Sequence, residues 1–221
     1  MNRYPVNLDL HGKKVVIVGG GQVAERKCRS LLEAHASVTI IAPTVTPGVE
    51  ELNRMGTISL LRRSWLEGDG ADALLLFAAT NDRTVNRSVT QEAGQRGMWV
   101  CVVDAPEEGT FTSPAVVRRG DLLLTVSTGG KSPALARRIR QELEIRYGPD
   151  YADIVDIAGK LREKLLTTGQ GGAYSSKLFN ELLAGDLFSL PSPELRDRLL
   201  NDITNSETAG RALPTDSEEY P

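Results

Sequence analysis

Three short stretches hold residue types whose spacing suits chemistry. The first is Gly19-Gly20-Gly21-Gln22-Val23-Ala24, which fits Gly-x-Gly-x-x-Ala directly after the apolar run 14–18. In that pattern Gly19 permits a tight turn and Gly21 lets the backbone approach a pyrophosphate. Ala24 lets the following helix pack closely on the strand. The helix start adds free N–H groups and the positive end of a dipole. The second is Asp104, which closes the apolar run 99–103. A carboxylate at the carboxyl end of a strand, beside a cofactor, can accept a proton. Asp104-Ala105-Pro106 also reads as a turn, where Asp is favoured. The third is Ser127-Thr128-Gly129-Gly130-Lys131-Ser132-Pro133. Glycines ahead of Ser132 as cap and Pro133 as first helical residue make a second anion-receptive helix start. They equally make an ordinary strand-to-helix connection.

Charge adds to the third stretch. Residues 118–140 carry Arg118, Arg119, Lys131, Arg137, Arg138 and Arg140 against Asp121 alone. Arginine suits recognition of carboxylate or phosphate, although such charges also populate solvated helix faces. The whole chain of 221 residues has a formal net charge of −3, which argues against a general nucleic-acid binder. That acidity resides at the end: 206–221 hold Glu207, Asp216, Glu218 and Glu219 against Arg211, leaving the rest formally neutral. A small molecule with several acidic groups therefore fits the chain better than a nucleic acid does.

Other chemistries find little footing. An Asp or Glu about 20 residues beyond the glycines usually binds the ribose 2′-hydroxyl of NAD. Here the second apolar run ends Ile41-Ala42-Pro43-Thr44, with no acid and no arginine. Thr44 and nearby backbone are the available ribose partners, and this position does not decide between NAD and NADP. His11 and His35 fall in expected loops away from the glycine turn, which disfavours a histidine base. Cys28 and Cys101, at no metal-ligand spacing, indicate a reducing, cytoplasmic setting and no resident metal. No apolar run reaches membrane-spanning length, and residues 1–5 show no secretory pattern.

The elements that must position these residues follow from hydrophobic periodicity. The short run at 14–18 reads as a buried parallel strand, and 38–42, 57–61, 73–79 and 99–103 read as further strands. Helical stretches at 22–34, 46–55 and 82–96 separate them, the last with Asn81 or Asp82 as cap. Alternation of strand and helix predicts an α/β fold, a parallel sheet covered on both faces. Beyond residue 110 the pattern changes to two strands, 111–117 and 122–127, joined by Arg118-Arg119-Gly120-Asp121. A helix over 133–147 follows and Gly148-Pro149 ends it. The expected organisation is a nucleotide-binding domain over 1–113, an α+β region over 114–147, a helical segment over 148–205 and a disordered acidic tail over 206–221.

Taken in order, several stretches resemble the precorrin-2 dehydrogenase family, which includes the N-terminal module of siroheme synthase. They are Val18 to Lys27, Ala78-Ala79-Thr80-Asn81-Asp82, Val102 to Pro106, Phe111-Thr112-Ser113-Pro114-Ala115 and Ser127 to Arg137. The glycine motif is common to many Rossmann proteins; the Asp-Ala-Pro and Ser-Thr-Gly-Gly-Lys-Ser-Pro stretches are far more specific. The resemblance covers 1–147 and implies a Rossmann-type domain in the stand-alone form, with no methyltransferase module. It implies NAD-dependent oxidation of precorrin-2 to sirohydrochlorin in siroheme synthesis, with ferrous iron insertion added in some members. It further implies a cytoplasmic homodimer built through 114–147. Asp104 matches the catalytic aspartate. Gln22, Val23, Pro43 and Thr44, with Gly19, Gly20, Gly21, Ala24, Thr80 and Asn81 of the matched stretches, match the cofactor site. Ser127, Thr128, Gly129, Gly130, Lys131, Ser132 and Arg137 form the expected tetrapyrrole-binding loop. Position 128 is Thr where some members have Ser, and the hydroxyl survives. Two other readings fit the same residues: a chelatase whose nucleotide fold is vestigial, and a non-catalytic NAD-sensing domain. The second leaves the 127–133 loop and its arginines without a use.

Overall fold

A computed structural model describes residues 3–167. By contacts the chain divides into two units, Met1–Ala115 with Val126–Arg138, and Val116–Thr125 with the chain from Ile139.

The first unit is built on five parallel strands: β1 (Lys14–Val18), β2 (Ser37–Ile41), β3 (Ser59–Leu61), β4 (Leu75–Ala78) and β5 (Trp99–Val102). Their order across the sheet is β3-β2-β1-β4-β5, so the chain reverses direction of travel between β1 and β4. Such a switch point opens a crevice at the carboxyl ends of the strands, where ligands of open α/β sheets bind. Helices α1 (Gln22–Glu33), α2 (Pro47–Arg54) and α3 (Arg83–Arg96) make the crossovers.

Side-chain alternation divides the interior into two layers. Val15, Ile17, Val38, Ile40, Leu75, Phe77 and Cys101 point to one face, where Ala24, Cys28 and Leu31 of α1 and Val49 and Leu52 of α2 cover them. Val16, Val18, Ile41, Leu76, Ala78, Val100 and Val102 point to the other, under Val89 and Ala93 of α3 and the side chains of Trp65 and Ala73. Burial on both faces explains why the strands read as continuous apolar runs. Asp82 caps α3, its carboxylate accepting the Thr84 and Val85 N–H groups.

β6 (Ala115–Arg119) and β7 (Leu122–Val126), all but their outer residues Ala115 and Val126 in the second unit, form a two-stranded sheet joined by Gly120-Asp121. Arg119 donates from Nε to the Tyr147 carbonyl at 2.9 Å and from Nη2 to the Glu144 carbonyl at 3.3 Å. It thereby ties the hairpin to the end of α4 (Pro133–Arg146), with α5 (Tyr151–Thr167) following. No helix among the described residues is long and apolar enough to cross a membrane.

One strand starts later than its hydrophobicity indicates: 111–117 was the expected span and Ala115–Arg119 is observed. Residues 110–111 serve β5 instead. Thr110 donates its N–H to the Val100 carbonyl at 2.8 Å, and its hydroxyl accepts the Val100 N–H at 2.8 Å. Phe111 meets Phe77 edge to face at 5.4 Å. Pro114 then has no N–H for a ladder. The expected helices between residues 168 and 203, and the acidic tail, lie outside the described residues.

Candidate active site

The glycine turn, the loop after β2 and the loop after β4 together line a cleft of about 490 Å³ at the carboxyl edge of the sheet. Gly19, Gly20, Gly21, Pro43, Thr44, Thr80 and Asn81 all line it. Gln22 opens α1, Val23 is half-buried and Ala24 is fully buried where the helix meets the sheet.

The cleft fits a dinucleotide on physical grounds. Gly19 has φ +127°, and a Cβ there would stand 2.3 Å from the Ala79 carbonyl oxygen. A Cβ on Gly20 would stand 2.1 Å from the Thr44 carbonyl oxygen. At Gly21, by contrast, no heavy atom lies within 4 Å of that position. The first two glycines thus let backbones meet, and the third leaves open space. Gly21 is also the residue before α1, and it caps no N–H with a side chain. The first N–H groups of α1 therefore remain available for phosphate oxygens. Trp65 lines the same cleft, and its indole N–H is buried without a hydrogen-bond partner among the described residues.

Asp104 follows β5 and its side chain is 45% exposed, open to a ligand. Both carboxylate oxygens are held. Oδ1 accepts from Asn86 Nδ2 at 3.2 Å, and Oδ2 accepts from Arg83 Nη1 at 3.2 Å. Arg83 also donates to Glu108 at 2.5 Å. Asn86 is fully buried, and its amide joins the carboxyl ends of the neighbouring strands β4 and β5. It donates to the Thr80 carbonyl at 3.0 Å and accepts from the Thr80 hydroxyl at 2.8 Å and the Thr80 N–H at 3.3 Å. Thr80 lines the cleft, so one side chain connects the cleft wall to Asp104.

No motif or spacing in the sequence marks Arg83 or Glu108. Asn86 carried a signal: it stands with Val89 and Ala93 at helical i, i+3, i+7 spacing, a polar residue on the buried stripe of α3.

The 127–132 loop lies in the same unit as the sheet and closes on itself. The Thr128 hydroxyl accepts the Ser132 N–H at 3.1 Å and donates to the Ser132 carbonyl at 3.0 Å. Ser132 Oγ caps α4 by accepting the Leu135 N–H at 3.3 Å, and Ser127 Oγ accepts the Gly129 N–H at 3.3 Å. Ser127, Gly129, Gly130, Lys131 and Arg137 are exposed.

The cysteines take no part. Burial pushes the Cys28 thiol up to about 11, and burial also raises that of Cys101. Both stay protonated at neutral pH and are poor nucleophiles.

Comparison with known proteins agrees with this architecture. An NAD(P)-binding family model matches residues 6–115, and a model of the central region of sirohaem biosynthesis proteins matches 119–145. Siroheme synthase 3 of Aeromonas hydrophila is 36% identical over 93% of this chain and 46% of its own length. Siroheme synthase of Pseudomonas aeruginosa (strain LESB58) is 37% identical over 75% of this chain and 36% of its own. The chain thus spans less than half the length of these curated relatives. A solved structure of SirC, a precorrin-2 dehydrogenase, matches with a TM-score of 0.77 and 28% identity, over 92% of this chain and all of that one. Two models in tandem on one chain, with a structural match along both, give its membership: the chain belongs to the precorrin-2 dehydrogenase and siroheme synthase family.

Proposed function

We propose that this protein oxidises precorrin-2 to sirohydrochlorin with NAD as hydride acceptor. The observation that carries the reading is Asp104, held by Asn86 and Arg83 at the end of β5 and linked through Asn86 to the cleft wall. Bound NAD supplies the chemistry of accepting a hydride. The protein's own residues do the rest. The α1 N-terminus, with Gly19, Gly20, Gly21, Gln22, Val23 and Ala24, holds the pyrophosphate, and Pro43, Thr44, Thr80 and Asn81 wall the nucleotide. Oxidation also releases a proton from the substrate. Asp104 accepts it at Oδ2, since Oδ1 is committed to the fully buried Asn86 and Arg83 is shared with Glu108. The substrate carries several carboxylates. Ser127 to Ser132 and Arg137 are its proposed contacts, with the exposed Lys131 and Arg137 pairing with those carboxylates.

The remaining parts of the reading extend this core. The 114–147 region joins two copies of the chain, in the cytoplasm. Leu135 and Ile145 of α4 and Val116 of β6 are exposed apolar residues there, and a second copy would cover them. Ferrous iron is a further proposed substrate: its insertion into sirohydrochlorin displaces two pyrrole protons, and Asp104 is the proposed acceptor of one.

The test is an anaerobic assay of precorrin-2 with NAD, with and without Fe²⁺, reading sirohydrochlorin and siroheme separately. Asp104→Asn should lower turnover by about 10²- to 10⁴-fold, the usual range for a lost proton acceptor. Its affinity for NAD should stay unchanged. Turnover like the wild type's removes Asp104 from the mechanism.

A further inference from the structure

The loop after β2 lacks the acid that usually reads the ribose, but a carboxylate reaches that loop from elsewhere. Glu25, in the first turn of α1, accepts the Thr46 hydroxyl proton at 2.6 Å through Oε2. Thr46 lines the nucleotide cleft and its N–H donates to the Gly20 carbonyl at 2.9 Å. Thr46 is also the N-cap of α2, its Oγ1 accepting the Val49 N–H. The Glu25 carboxylate therefore sits at the α2 N-terminus, where backbone N–H groups favour an anion. The seat is shaped for it: a Cβ on Gly48 would fall 2.0 Å from Glu25 Oε1. Arg29 clamps the same carboxylate from one turn along α1, at 2.8 Å.

We infer that Glu25 is the residue that makes this cleft prefer NAD over NADP. A 2′-phosphate on a ribose beside Thr44 and Thr46 would seek the cap and N-terminus of α2. It would find a carboxylate there instead, and like charges brought together without water are costly. The Thr46 hydroxyl cannot help, because its proton is directed at Glu25 and its oxygen at Val49. Two cations near that helix start are already paired: Arg29 with Glu25, and Arg62 with Glu50 of the first turn of α2. The hydrogen bonds from Thr46 and Arg29 also lower the Glu25 carboxyl from its ordinary value, so it is ionised at neutral pH.

The inference rests on the proposed function only in that the cleft holds a dinucleotide. Its test therefore uses no tetrapyrrole: NAD and NADP are titrated separately by calorimetry against the full chain. Glu25→Gln keeps the shape and removes the charge. The ratio of NADP to NAD dissociation constants should fall about tenfold or more, with the NAD constant changed by less than about threefold. A second reading needs no variant. Raising salt on the wild-type protein screens the repulsion and should lower the same ratio. A ratio that is unmoved by Glu25→Gln, or that rises with salt, overturns the inference and leaves the dehydrogenase reading intact. Failure of wild-type protein to bind either nucleotide overturns both.

Discussion

The molecule contains two glycine-rich strand-to-helix connections, and they are built on opposite principles. At residues 19 and 20 the glycines are fixed by what presses on them, the Ala79 and Thr44 carbonyls, while Gly21 faces open space and the helix that follows has no side-chain cap. At 127–132 nothing lies within 4 Å of a Cβ on Gly130, and hydroxyls of Ser127, Thr128 and Ser132 satisfy the loop's own N–H groups. The first connection leaves its helix donors open and relies on the sheet for its shape. The second holds its shape locally and spends its donors on itself. Similar composition thus gives one anion site ready-made at the helix start, and one where ligand recognition must fall to exposed side chains such as Lys131 and Arg137.

That contrast predicts unequal responses to the same small change. Gly19→Ala should be the most damaging. It forces a side chain into φ +127° and against the Ala79 backbone, which cannot yield like a flexible side chain. We expect about 3 kcal/mol of lost stability, lowering the unfolding midpoint by roughly 10 °C, together with lost NAD binding. A midpoint within two degrees or so of the wild type would show that the close approach at β4 is not a constraint. Gly21→Ala is the sharper probe. Its methyl enters open space, so stability should change by less than about 0.5 kcal/mol. NAD affinity should nevertheless fall about tenfold or more, equivalent to about 1.4 kcal/mol. Unchanged affinity in calorimetry would mean that the pyrophosphate does not approach this backbone.

How far these features were legible beforehand differs between the two regions for the same physical reason. The sheet and its glycine turn are readable because the apolar runs of β1, β2, β4 and β5, buried on both faces, leave a strong local signal, and Gly19 and Gly20 have few alternatives. Asp104 was readable as the residue ending the last run. Its holders were not. Asn86 sits in a helix of mostly polar composition, and only its alignment with Val89 and Ala93 reveals that it faces inward. Arg83 reaches Asp104 from α3 while Glu108, beyond β5, holds Arg83, and no sequence spacing encodes that meeting. β6 starts later than its hydrophobicity indicates because Thr110 and Phe111 bond to β5 and Phe111 packs on Phe77 of β4, a tertiary preference that outweighs strand propensity.

Thr128 allows the smallest and most discriminating test of the contrast. Its hydroxyl makes two hydrogen bonds, both to Ser132 and both in a half-exposed loop. Thr128→Val keeps the branched shape and removes them. Net hydrogen bonds of this kind contribute about 1 kcal/mol, and the exposed setting keeps the loss near that value. Thr128→Ser retains the hydroxyl and should stay within about 0.5 kcal/mol of the wild type. If the loop is the tetrapyrrole contact, Thr128→Val should raise KM for precorrin-2 severalfold while leaving NAD affinity unchanged, because the loop would lose the geometry that presents Lys131. A self-closed loop with no ligand role predicts the same loss of stability with KM untouched. Stability measures the loop's closure and KM measures its use, so the pair of readings separates a substrate loop from a well-capped turn.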